Sequence, residues 1–192
     1  IAGAADVELD KIVVTPSRYS QKISEAASSV SVVTQSDIYN SGAGNSPDIL
    51  KTVPGIIVRD VYGNGAKASI DLRGFGDMDA MNTLVLIDGR RVNEVDLSGV
   101  DWSQMPLDQI QRIEVTRGGN SVLYGENAIG GVINIITKKG RGKPKFETGF
   151  EIGSFDRHLE KFNFSGSQDE LSYLFSASRE NTNGYRNNTF FK

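Results

Sequence analysis

Hydrophobic and polar positions follow two rhythms along this chain, one before Lys138 and one after it. After Lys138 they alternate one by one. Phe146, Thr148, Phe150 and Ile152 stand against Glu147, Gly149, Glu151 and Gly153, and the pattern resumes from Leu159 to Ser167 and from Leu171 to Arg179, with Tyr173, Phe175 and Ala177 on one face. A period of two belongs to strands whose two faces meet different surroundings. Each segment is about ten residues long, the span of a tilted membrane strand. An ordinary soluble antiparallel meander has the same rhythm, so these segments alone leave both readings open.

Before Lys138 the apolar positions come in short β-branched runs punctuated by glycine and proline. Asp10 to Thr15 reads as extended and is closed by Pro16, which cannot continue a ladder. Val30 to Val33 predicts a second strand. Thr34 to Asp37 has capping-box spacing, and Gly42 is a natural stop for the short helix that follows. Ser46-Pro47 predicts another helix, with serine as N-cap and proline at N1, ending before Pro54-Gly55. Ile56 to Val61, Ser69 to Arg73 and Thr83 to Ile87 read as strands, and Asp88-Gly89 is a hairpin turn. Met105-Pro106 opens a helical turn toward Ile110, Ile113 to Arg117 is extended, Ser121 to Tyr124 is a helical turn, and Val132 to Thr137 closes the unit. Short helices mixed with strands predict a small α+β domain. The segment from Lys138 to Lys145 carries five cations with two glycines and a proline, which predicts a solvated linker.

Composition narrows the chemistry. The 192 residues are 38% hydrophobic and 23% charged, with a net charge of -3. Nothing here has the basic footprint of a nucleic-acid binder. Glycine accounts for 21 of the 192 residues, more than its usual share of roughly 7%. There is no cysteine, hence no disulfide framework and no thiolate chemistry. No window approaches 18 apolar residues, so no transmembrane helix is predicted, whereas a β-barrel stays open.

The glycines of the stretch RGGNSVLYGENAIGGVIN invite a phosphate-loop reading, which its context opposes. A Walker loop ends in Gly-Lys-Ser/Thr, and here Lys143 precedes Pro144. A dinucleotide fingerprint opens a helix, and here Gly130-Gly131 opens a strand. Gly74 and Gly76 lack a third glycine in register. His158 is the single histidine, with no nucleophile elbow around any serine, so no catalytic residue is assigned. Asp77, Asp79, Glu94, Asp96 and Asp101 fall in loops without the twelve-residue calcium spacing. No metal site and no cofactor are expected.

Taken together, the segments DKIVVT, SPDILKTVPGIIV, IDLRGFG, NTLVLIDGRRV and IQRIEVTRGGNSVLYGENAIGGVINIITK resemble, in order and spacing, the successive signatures of a TonB-dependent outer-membrane receptor, closely over about residues 8 to 140. One departure is Gly119, where the family usually has proline after arginine-glycine. The resemblance implies a flexible N-terminus at 1–15 with a TonB box at 10–15, a mixed-sheet plug domain at 16–140, and at 141–192 a linker and the first antiparallel strands of a transmembrane barrel. A full barrel of this kind has about 22 strands, so the chain is expected either to hold the plug and the start of the barrel or to be a plug-like protein that stands alone.

The same resemblance supplies site expectations. TonB would take Asp10, Lys11, Ile12, Val13, Val14 and Thr15 as an added strand; without the family pattern, the same segment reads as an ordinary first strand. Arg73 and Arg117 would lock plug to barrel by pairing with wall glutamates beyond Lys192, or else make salt bridges within the plug. The ligand, a metal chelate or a cobalamin-like nutrient, would meet Tyr62, Asn64, Met78, Asp79, Met81, Asn93 and Trp102 on outward loops, although a lone tryptophan also suits a core. The expected setting is the bacterial outer membrane, with the plug facing periplasm and barrel lumen. The competing reading is a soluble periplasmic interaction module without a pore.

Overall fold

A computed structural model describes residues 12–13, 19, 21–26, 28–61, 63, 65–96, 98–154 and 156–183. The chain folds as α+β, with short helices and a mixed sheet followed by three long antiparallel strands. Two residues, Ile12–Val13 (β1), pair with Gln21–Lys22 (β2). Ser29–Thr34 (β3) then leads into the helix Gln35–Ser41 (α1). The capping box expected there is present. The Thr34 hydroxyl accepts from the Asp37 amide at 3.2 Å, and the Asp37 carboxylate accepts from the Thr34 amide at 2.7 Å. The second helix, Ser46–Leu50 (α2), starts one residue earlier than expected. Asn45 is its N-cap, accepting from the Asp48 amide at 2.9 Å, while the Ser46 hydroxyl turns inward and donates to the Met105 carbonyl at 2.5 Å.

The next strands, Ile57–Arg59 (β4) and Ser69–Asp71 (β5), pair with each other and are shorter than their apolar runs. Beyond Asp71 the chain leaves the ladder because that side chain captures the following amides, as described below. A helical turn and the helix Asp79–Asn82 (α3) bring the chain to Thr83–Ile87 (β6), which turns at Asp88-Gly89 into Arg90–Arg91 (β7). Around Pro106 the expected helical turn is two separate 3-10 turns, Trp102–Gln104 and Leu107–Gln109. Ile110–Arg117 (β8) begins three residues ahead of its β-branched core, Ser121–Tyr124 (α4) is one helical turn, and Gly131–Thr137 (β9) closes the unit.

Strands β3, β8, β9, β6 and β7 lie in that order in one sheet, in which β6 and β9 run parallel and the other pairs antiparallel. One face carries Val33, Val85, Ile113, Val115, Ile133 and Ile135 into the main core, against Ile49 and Leu50 of α2 and Ile70, Leu72 and Trp102. The other face buries Leu84, Leu86 and Val132 beneath Ala128 and Tyr124. In the same face Asn134 of β9 lies between apolar Leu86 on one side and Glu114 on the other. Glu114 is fully buried and is held by Arg112, whose Nε donates to it at 2.8 Å.

After the linker, Lys145–Gly153 (β10), Arg157–Gln168 (β11) and Leu171–Asn181 (β12) form a three-stranded antiparallel sheet. The linker is pinned to the far end of this sheet, where the Gly142 amide donates to the Ser167 hydroxyl at 2.8 Å and the Ser172 hydroxyl donates to the Gly140 carbonyl at 2.6 Å.

Candidate functional site at the junction of the two sheets

The R-G-F-G turn after β5 is organised by a residue that motif reading passed over. Asp71 is fully buried, and its Oδ1 accepts from the amides of Arg73, Gly74 and Phe75 at 3.0, 2.8 and 3.0 Å, while Oδ2 accepts from Gly76 at 2.9 Å. Burial pushes this carboxyl up, but the four amides outweigh it and hold it below the ordinary aspartate value. Arg59 closes the cradle from outside: its Nη2 lies 3.8 Å from Oδ2 and its Nη1 donates to the Gly76 carbonyl at 3.3 Å. A signal was present, since an aspartate ahead of a glycine-containing turn is suited to bind the turn's amides.

The turn presses both its side chains onto the segment that begins at Arg117. A Phe75 ring carbon lies 3.0 Å from where a Cβ on Gly130 would stand, and Arg73 Nη2 lies 3.6 Å from the equivalent point on Gly118. Arg117 is tied inside the unit, donating from Nη1 to the Ser31 hydroxyl at 2.8 Å and from Nη2 to the Pro54 carbonyl at 2.6 Å. Arg73 is exposed and pairs with none of the described residues. Arg73 thus lies against the residue that follows Arg117, and among the described residues neither arginine makes a salt bridge within the unit.

Of the expected handle, Asp10, Lys11, Val14 and Thr15 lie outside the described residues, as do Tyr62 and Asn64 among the ligand candidates and the side chain of Asp79. Ile12 and Val13 form β1, and Val13 is fully buried. Met78 and Met81 are exposed on the segment leading to β6, at 56% and 42%. Asn93 and Trp102 need correction, because the fold turns both inward. Asn93 bridges the backbone of β6, accepting from Val85 N at 2.7 Å and donating to the Thr83 carbonyl at 2.9 Å. Trp102 is 4% exposed and its indole donates to the Ala68 carbonyl at 2.8 Å. The acidic loop residues also have local roles: Asp60 accepts from the amides of Gly63 and Gly65, and Ser103 holds the Asp101 carboxyl below its ordinary value through a hydroxyl bond of 2.6 Å.

The three-stranded sheet divides its chemistry between its faces. Phe146, Phe150, Ile152, Phe162, Phe164, Tyr173 and Phe175 share one face, with Glu160 and Arg179 opposite each other toward one end of it, and Phe146, Phe150, Ile152 and Phe175 are each at least 60% exposed there. The other face looks onto the α+β unit. It bears a charge network absent from the sequence reading: Lys161 donates to Glu151 at 2.7 Å, Arg157 approaches Glu151 at 3.4 Å, and Arg157 Nε donates to Glu180 at 2.6 Å. Cross-strand register brings these residues together, and single-chain spacing does not reveal it. Between this network and Ile38, Tyr39, Met105 and Leu107 lies a cavity of about 550 Å³.

Residues 22–132 match the family model described as TonB-dependent Receptor Plug Domain. Over 180 residues the chain is 37% identical to the vitamin B12 transporter BtuB of Vibrio vulnificus, a match that takes in 93% of this chain and 29% of that protein. The ferripyoverdine receptor of the outer membrane of Pseudomonas aeruginosa superposes on 90% of the chain with a TM-score of 0.74 at 22% identity, which covers 22% of the receptor. The ferric yersiniabactin uptake receptor FyuA from Yersinia pestis superposes on 81% with a TM-score of 0.62 at 25% identity, covering 24% of that chain. The chain therefore spans less than a third of the length of each of these relatives.

Proposed function

This chain belongs to the TonB-dependent receptor plug domain family, and from that premise we propose that it forms the gate and the first wall strands of an outer-membrane receptor. Its cargo is a metal chelate or a similar large nutrient of the siderophore, haem or cobalamin class. A pore wide enough for such a solute leaks everything smaller, so it is blocked at rest and opened by work from the energised inner membrane.

The observation that carries this reading is the division of the three-stranded sheet. A soluble meander buries its apolar face against its own domain. Here the aromatic face points away from the α+β unit and the charged face points toward it, which is the arrangement of a barrel wall with lipid outside and a polar lumen within. That counts against a free-standing periplasmic module. The residues Asp10 to Thr15 serve as the handle, offering TonB a row of main-chain hydrogen bonds along which to pull once Ile12 and Val13 part from β2; Arg73 and Arg117 hold the gate to the wall, and Met78 and Met81 face the ligand. The homologues are transporters and receptors, and no reaction is assigned.

The handle is tested in cells lacking the native gene and carrying the full-length protein, wild type or Val13→Pro. Cyanocobalamin and a panel of ferric chelates are supplied in turn. The substitution is expected to abolish energised uptake of the cargo while leaving its binding to whole cells intact. Undiminished uptake in Val13→Pro overturns the handle.

A further inference from the structure

The exposed segment that carries Met78 and Met81 and the arginines at the wall are joined through one carboxylate. We propose that Asp71 is a positioning residue of the gate: its four-amide cradle fixes the R-G-F-G turn, and the turn sets where Arg73 stands beside the Arg117 segment. This rests on the gating reading above and names the element that keeps the gate registered.

Three features converge on it. The cradle captures four consecutive amides, so the backbone from Arg73 to Gly76 is held as one unit by Asp71. The turn bears on the Arg117 segment at two points, through Arg73 against Gly118 and through Phe75 against Gly130. Gly118 in turn donates to the Gly130 carbonyl at 3.2 Å, and Gly130 donates to the Asn82 carbonyl at 2.8 Å, which returns the path to the end of the Met78–Met81 segment. Among the described residues the Arg73 guanidinium has no hydrogen-bond or ion-pair partner. An aspartate is suited to this task because it offers two acceptor oxygens and no donor, so every amide that meets it is satisfied; asparagine replaces one acceptor with a donor and must repel at least one of the four.

The test compares full-length wild type, Asp71→Asn, Arg73→Ala and the double variant in cells lacking the native gene. It reads surface amount, cargo binding, energised uptake, and sensitivity to a glycopeptide antibiotic too large for ordinary porins. Each single variant is expected to raise antibiotic sensitivity at least fourfold with binding unchanged, and the double variant to be no more sensitive than Arg73→Ala. A general loss of folding lowers surface amount and binding together. If Asp71→Asn does so, Gly74→Ala replaces it: Gly74 sits at φ +79, where alanine is strained, and the substitution disturbs the same turn with the carboxylate intact. The inference is overturned if the variant remains as resistant as wild type, or if its effect multiplies with that of Arg73→Ala. Loss of energised uptake by the wild type itself would instead count against the gating reading.

Discussion

At the scale of single residues, the side chains that matter most here are polar groups that the fold has enclosed. Asp71 falls in a predicted strand and Trp102 in a predicted loop, and both hold backbone in place. Trp102 was legible only as a choice between two roles, because a lone aromatic has no periodicity of its own. What decides it is the Ala68 carbonyl 34 positions earlier, a pairing that no local pattern encodes. Trp102→Phe leaves that buried carbonyl without its donor, at a cost of about 1–3 kcal/mol. Native-state amide exchange of the full-length protein is expected to show this loss of protection around residues 100–105; unchanged protection there shows that the carbonyl has found another partner. Arg73 and Arg117 were legible as a pair by motif, whereas the approach of Arg73 to Gly118 is a contact of the folded turn.

At the scale of elements, legibility follows the range of the interactions. The capping box at Thr34 and Asp37, the hairpin turn at Asp88-Gly89 and the strand at Thr83 to Ile87 are specified within a few residues, and they stand where the spacing placed them. The start of α2 shifted to Asn45 because Ser46 is drawn inward by Met105, 59 residues away. The strand β5 stops early because the Asp71 side chain competes with the ladder for amides. The glycine stretch after Arg117 is explained in the same terms. Gly130 is small because Phe75 and the Asn82 carbonyl crowd the space a side chain would fill, with the carbonyl oxygen 2.9 Å from the Cβ position. Gly130→Ala is expected to destabilise the contact between the R-G-F-G turn and β9 by about 1–3 kcal/mol, the usual range for overpacking. A thermal melt of the purified full-length protein that matches wild type would refute this account of the glycine.

For the whole molecule, the alternation after Lys138 predicted strands with unlike faces but not which face meets the rest of the chain. That required register: Glu151 lies opposite Leu159, and Leu159 opposite Glu180, across three strands. With the charged face turned inward, the outward aromatic face is the one that meets lipid in the proposed barrel wall. Phe175→Arg is therefore expected to impair membrane assembly of the full-length protein by about 2–4 kcal/mol if it lies near the bilayer midplane, whereas Ser178→Arg, which faces the cavity, is expected to assemble nearly as wild type. Folding into lipid vesicles, followed by the shift of the folded band on unheated gels, distinguishes them; equal behaviour of the two variants contradicts the assignment of faces.

The charge network on the inward face has a consequence for how such molecules diverge. Glu151, Arg157, Lys161 and Glu180 neutralise one another within the sheet, so a change at Tyr39 or Leu107 across the cavity strands no ion. Along this seam a substitution on the facing unit leaves the ion pairs of the sheet intact, so the two surfaces that line the cavity are free to drift in sequence independently.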